Sequence, residues 1–242
     1  MGGGSFYADY HFGGARHDGV ESFEERSGGA ICTGIRKAYR EYLRWTGDEG
    51  LHGAPEYLLT CAVARELVDV EEGCYVTLEA GMRETLEYAN VCLDEVLRVT
   101  LRLDGRADVV LWVAPEVGQD GVPRAIVEVK NYLAEPGARL FEDVARLRDA
   151  LELSVWCGGA LEFGCLAFWL GVDEPRQKVR HDTPVAWLQH KSRRLWEVAQ
   201  ELVSLDGVEA RLVQPKFYQG AYDDGTRYAW APSVLVIEKP TE

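Results

Sequence analysis

Two strings hold residue types able to do chemistry together: Gly105-Arg106-Ala107-Asp108-Val109-Val110-Leu111-Trp112 and Ala125-Ile126-Val127-Glu128-Val129-Lys130. Each is an apolar, β-branched run of strand length with acid groups inside it. The segment 114–123 between them is rich in Pro and Gly and reads as a hairpin connection. Alternation along a strand puts Glu128 and Lys130 on one face and Val127 and Val129 on the other. Pairing the two strands would bring Asp108 and Glu128 together, with the Lys130 ammonium beside them. Two hard carboxylate donors suit Mg²⁺ or Mn²⁺, a cation that acidifies a bound water and neutralises charge on phosphate oxygens. Lys130 would orient the attacking water or stabilise a pentacovalent transition state. The chemistry expected of this set is phosphodiester hydrolysis.

The elements that must position these groups are legible as periods and breaks. Residues 1–30 show no sustained period and read as a loop-like arm. An amphipathic helix is predicted over 35–45, ended by Gly47, and Pro55 opens a second helix from 56 to about 68. A strand follows at 74–79, a helix at 83–97, and the first hairpin strand within 99–113. After the second hairpin strand come a helix at 140–153 and an apolar strand at 164–172, of the kind buried on both faces. Thr183-Pro184 begins a helix reaching 205. Two closing strands, 209–218 and 228–238, are joined by Asp223-Asp224-Gly225. This order predicts an α/β fold with a mixed central sheet flanked by helices. It divides into an arm and helix (1–54), a core (55–172) and a C-terminal helix and strand extension packed on that core (173–242).

Over residues 55–172 the chain resembles the PD-(D/E)XK nuclease superfamily. Asp108 matches that family's strand Asp, Glu128-Val129-Lys130 its E-x-K, and Pro55-Glu56 is similar to its helix acid. Ala107 stands where many members carry a proline. The resemblance implies a restriction-endonuclease-like core of helix, three strands, helix and strand, with N-terminal helical and C-terminal helix-plus-strand additions. It implies Asp108, Glu128 and the Val129 carbonyl as ligands of Mg²⁺ or Mn²⁺, and Glu56 as an outer-shell acid, with Glu79 a rival for that role. The expected activity is a DNA endonuclease acting in defence, restriction or repair, with nucleic acid as partner and a homodimer or partner subunit allowed. RNA cleavage fits the same residues. So does a catalytically inactive nuclease scaffold serving as an interaction or regulatory module.

Each residue also has a plainer reading. Glu128 and Lys130 suit a solvated strand face, Asp108 a turn, and Glu56 the first turn of any helix, where the macrodipole favours acids. Asn131 and Tyr132 either touch the scissile strand or close a loop. Asp143, Arg146 and Arg148 either approach the cleft or, as the plainer reading, form ordinary helix surface. The net charge of −14 argues against strong, sequence-independent DNA binding by the chain as a whole. The one basic island, Lys178 and Arg180 with Lys191, Arg193 and Arg194, reads as a phosphate contact, a solvated helix face or an inter-subunit contact. The six cysteines lack zinc-ligand spacing. The longest apolar stretch, 165–172, is too short to span a bilayer. A cytoplasmic location without membrane association is therefore expected, and no phosphate-binding glycine loop or nucleophile elbow appears.

Overall fold

A computed structural model describes residues 10–12, 21–47, 51–93, 101–114, 120–133, 135, 137–174, 183–203, 208–214 and 216–239. The elements are β1 (Tyr10–Phe12), α1 (Phe23–Thr46), α2 (Glu56–Leu67), β2 (Cys74–Gly81), α3 (Met82–Tyr88), β3 (Arg106–Val113) and β4 (Val122–Lys130). They continue with α4 (Ala138–Cys157), β5 (Phe163–Asp173), α5 (Pro184–Val203), β6 (Glu209–Gln214), β7 (Tyr218–Ala221) and β8 (Arg227–Glu238). The architecture is α/β: one mixed sheet in the order β1-β6-β8-β5-β4-β3-β2, with β7 paired to β8. The parallel neighbours β4 and β5 are joined through α4. Parallel strands cannot be connected by a tight turn, so a crossover helix is the expected link. No helix among the described residues is long and apolar enough to cross a membrane.

Strand alternation splits the core into two layers. Val110, Ile126, Leu166 and Phe168 pack under α3, α4 and α5, while Val109, Val127, Cys165 and Val234 pack under α1 and α2. β5 is buried on both faces along Phe163–Val172, as its unbroken apolar run predicts.

Several predicted boundaries move. The arm expected over 1–30 is helical from Phe23, because Ser22 and Glu25 form a reciprocal capping box: Ser22 Oγ accepts from the Glu25 N–H at 3.2 Å and Glu25 Oε2 from the Ser22 N–H at 3.0 Å. A Cβ on Gly34 would stand 2.7 Å from the Val63 Cα, so Gly34 lets α1 and α2 approach closely. The helix expected at 83–97 ends at Tyr88, since Asn90 turns left-handed (φ 59°) and the Val91 N–H returns to the Leu86 carbonyl. Residues 94–97 lie outside the described residues. The strand expected within 99–113 begins only at Arg106, because a tight turn closed by the Gly105 N–H on the Arg102 carbonyl precedes it. The strand expected at 209–218 divides into β6 and β7. The C-terminal strands belong to the central sheet itself: β8 lies between β5 and β6 and pairs with β5 from Asp173↔Tyr228 to Phe163↔Glu238.

Candidate active site

The antiparallel register of β3 and β4 pairs Val109 with Val127 and Val110 with Ile126. One step further along, Asp108 stands opposite Glu128, on the sheet face covered by α4. The Asp108 Oδ2 accepts the Val129 backbone N–H at 2.7 Å, which fixes the carboxylate against the E-x-K strand. Lys130, two residues past Glu128 and on the same face, places Nζ 3.8 Å from Asp108 Oδ2 and 3.4 Å from Asp143 Oδ2, and donates to the Val129 carbonyl at 3.1 Å. From α4, Asp143 pairs with Arg146, whose Nη2 reaches Glu128 Oε2 at 3.3 Å. Glu56 enters from the start of α2, where its Oε2 accepts the Asn131 backbone N–H at 3.4 Å, and the Asn131 amide donates to the Ala54 carbonyl. These groups line a cleft of about 410 Å³. Its five carboxylates are Glu56, Asp108, Glu128, Glu142 and Asp143, and its five cations are Arg102, Arg106, Lys130, Arg139 and Arg146. The acidic excess of the chain is thus balanced locally, so an anionic ligand is not repelled from the cleft.

Burial decides the electrostatics. Glu128 is 2% exposed. Desolvation pushes its carboxyl up to about 8; Arg146 and Lys130 pull the other way, and the anionic neighbours Asp108 and Asp143 add to the rise. Among the described residues, Glu128 Oε1 and Arg146 Nε have no hydrogen-bond partner. For Lys130, burial would lower the pKa, but Asp143, Asp108, Glu128 and Glu56 outweigh it and the net shift is upward. The lysine is therefore held as an ammonium.

The structure brings together Asp108, Glu128, Lys130 and Glu56, with the Val129 carbonyl beside them. Glu79 sits at a left-handed position (φ 52°) on exposed backbone and is not among the cleft's lining residues. Of the α4 residues read as helix surface, Asp143 and Arg146 are instead buried parts of the cleft. Arg148 does point elsewhere, to Asp149 and the Leu202 carbonyl. Asn131 anchors Glu56, and Tyr132 packs on Trp169. Lys191, Arg193 and Arg194 lie on α5 and none lines the cleft; Lys191 Nζ sits 5.3 Å from the Trp187 ring centroid. Lys178 and Arg180 lie outside the described residues. The cleft's own basic residues Arg102, Arg106 and Arg139 escaped the sequence reading. Arg106 carried a usable signal, being two residues before Asp108 and so on the same strand face.

Among the described residues, no three acid, histidine or cysteine side chains converge as a ready-made metal cage. The donor chemistry still fits a hard dication. Two opposed carboxylates and a backbone carbonyl are oxygen ligands, and the partnerless, buried Oε1 of Glu128 is an acceptor that the protein's own donors leave open. The chain matches no family model, no curated protein and no solved structure.

Proposed function

We propose that this chain is a metal-dependent phosphodiester hydrolase of the PD-(D/E)XK type, a nuclease with DNA as its favoured substrate. The observation that carries the reading is the convergence of Asp108, Glu128 and Lys130 in one charged cleft at the carboxyl end of β4. The element order α2-β2-α3-β3-β4-α4-β5 supports it, since apart from the inserted short α3 this is the helix, three strands, helix and strand that the resemblance implies. Asp108, Glu128 and the Val129 carbonyl would hold Mg²⁺ or Mn²⁺, with waters completing the shell. When bound, the ion supplies Lewis acidity and charge neutralisation at the phosphate. Lys130, kept cationic by its four acidic neighbours, orients the attacking water and stabilises charge growing on the phosphoryl oxygens. Glu56, at the cleft wall, accepts a proton from that water. Asp143 positions Lys130 by its ion pair, and Arg146 compensates Glu128. The test is cleavage of supercoiled plasmid by the wild type, Asp108→Ala and Lys130→Ala in Mg²⁺ or Mn²⁺ and then in chelator. The wild type cleaves and both variants and the chelated protein do not; equal cleavage by all three proteins would falsify the reading.

A second reading has one observation in its favour. Lys130 and Arg146 already occupy the acid cluster, as in a buried ion-pair network that shapes an inactive interaction module. Calorimetry separates the two: the hydrolase gives a heat of Mg²⁺ or Mn²⁺ binding that Asp108→Ala removes, and the module gives none.

A further inference from the structure

A second concavity, of about 280 Å³, opens at the carboxyl end of β5. Four aromatic residues, Tyr132, Trp169, Tyr222 and Tyr228, line it together with Asp173. Two glycines make the room. A Cβ on Gly171 would stand 2.2 Å from the Trp169 ring, and one on Gly220 would stand 2.4 Å from the Tyr228 hydroxyl. Asp173 Oδ1 accepts the Tyr222 hydroxyl at 2.9 Å, which ties the β7–β8 turn to the end of β5. Trp169 is 6% exposed, and its indole N–H has no hydrogen-bond partner among the described residues.

We propose that this pocket receives one unstacked nucleobase of the strand bound in the acid cleft, an inference that rests on the nuclease reading. Its aromatic walls offer ring faces, which every base can stack against. Its polar groups are the Asp173 carboxylate and the hydroxyls of Tyr132, Tyr222 and Tyr228, which between them accept and donate. A base edge carries both partners. A quaternary ammonium, the other usual guest of aromatic walls, has neither donor nor acceptor for the tyrosine hydroxyls. The volume lies near the roughly 300 Å³ floor for small-ligand sites, which suits a single base. Position agrees as well. Tyr132 is two residues past Lys130, at most about 7 Å along the chain. β4 and β5 are parallel neighbours with Lys130 opposite Phe168, so cleft and pocket open from the same carboxyl end of the sheet, the usual binding end of such strands.

The experiment uses the full chain in chelator with a single-stranded deoxyoligonucleotide carrying one 2-aminopurine, whose emission falls when it stacks on an aromatic ring. The wild type is expected to quench it saturably. Tyr222→Ala, in a surface turn, weakens the titration about tenfold, the effect of losing one stacking partner, and Asp173→Asn, which keeps the Tyr222 hydrogen bond but loses the carboxylate's free acceptor oxygen, weakens it several-fold. No quenching by the wild type, or identical titrations for wild type and both variants, overturns the proposal. So does tryptophan emission that responds to tetramethylammonium and not to the oligonucleotide. Cleavage in Mg²⁺ or Mn²⁺ is read separately. A wild type that cleaves without quenching removes the pocket alone, and one that quenches without cleaving removes the hydrolase while the base pocket stands.

Discussion

The sheet carries two buried ion-pair sites at opposite ends of its central strands, and they are built differently. At the amino end of β5, Glu238 lies opposite Phe163 and meets Arg211 from β6. Arg211 Nε donates to Oε1 at 3.1 Å and Nη2 to Oε2 at 3.4 Å. Glu238 is 4% exposed, and both its oxygens are supplied by a single guanidinium. At the carboxyl end of β4, Glu128 is just as buried, yet Arg146 is divided between it and Asp143, and Lys130 between Asp108, Asp143 and the Val129 carbonyl. One acceptor on Glu128 and one donor on Arg146 are left over. Burial and charge type are alike at the two ends. What differs is closure: a one-to-one pair satisfies itself, whereas a crowd of acids sharing cations keeps ligand valences open. Unclosed, pKa-shifted clusters in clefts are the kind that mark function.

The largest effect that would break this contrast is catalytic. Lys130→Ala should lower plasmid cleavage by about 10²–10³-fold, the usual cost of removing one preorganised charge from a reacting centre. Its urea midpoint should fall, because Asp108 and Asp143 lose the ammonium that pairs them. Next in size comes the opposite end. Arg211→Met strands the Glu238 carboxylate and should cost about 3 kcal/mol in urea unfolding, with cleavage per folded molecule unchanged. Should Arg211→Met lower cleavage as Lys130→Ala does, the two ends are not functionally distinct.

Why the strand half of the cleft was legible in the sequence and its helix half was not has a local cause. Asp108 and Glu128-Val129-Lys130 sit in β-branched runs whose period of two assigns faces without any tertiary information, so their meeting followed from a hairpin. Asp143 and Arg146 could not be assigned that way. On a helix, an acid and an arginine three residues apart form a surface pair as readily as a buried one, and only the crossover through α4 turns them inward. The fold followed the same rule. β5 and the hairpin strands were readable from composition, whereas the first turns of α1 carry glycines whose use shows only in tertiary contacts: Gly34 against α2 and Gly28 against Val213 of β6. The place of β8 in the centre of the sheet depends on long-range pairing with β5, for which no neighbouring residue carries a mark.

The pH dependence of stability sharpens the contrast with a smaller effect. With the protein in chelator, the unfolded Glu128 carboxyl titrates near 4.5 and the folded one near 8. Between those values the folded state holds one proton more than the unfolded chain. Stability from this group therefore falls as pH rises through that window and levels off above it. Glu128→Gln has no proton to lose. The wild type should lose stability relative to Glu128→Gln between pH 5.5 and pH 8.5 in urea titrations. A difference that stays flat would mean that Arg146 holds Glu128 as an ordinary, ionised pair.

The smallest effects belong to the rim cations. Arg106 and Arg139 are exposed, and no ion pair joins either to a carboxylate among the described residues. Such side chains contribute little to folding, so alanine at either position should shift stability by no more than about 0.5 kcal/mol. Each faces the cleft that holds the acids, and under the proposed function each would contact a phosphate and release condensed counterions. Removing one such contact should lower the slope of log affinity against log salt by about one. Affinity for a DNA duplex in chelator should fall several-fold at low salt and much less at high salt. Arg193→Ala and Arg194→Ala on α5 are the matched controls, equally cationic and exposed but outside the cleft. If the slope drops for the α5 pair and not for Arg106 and Arg139, the nucleic-acid path runs over α5, and the balanced charge of the cleft has another purpose.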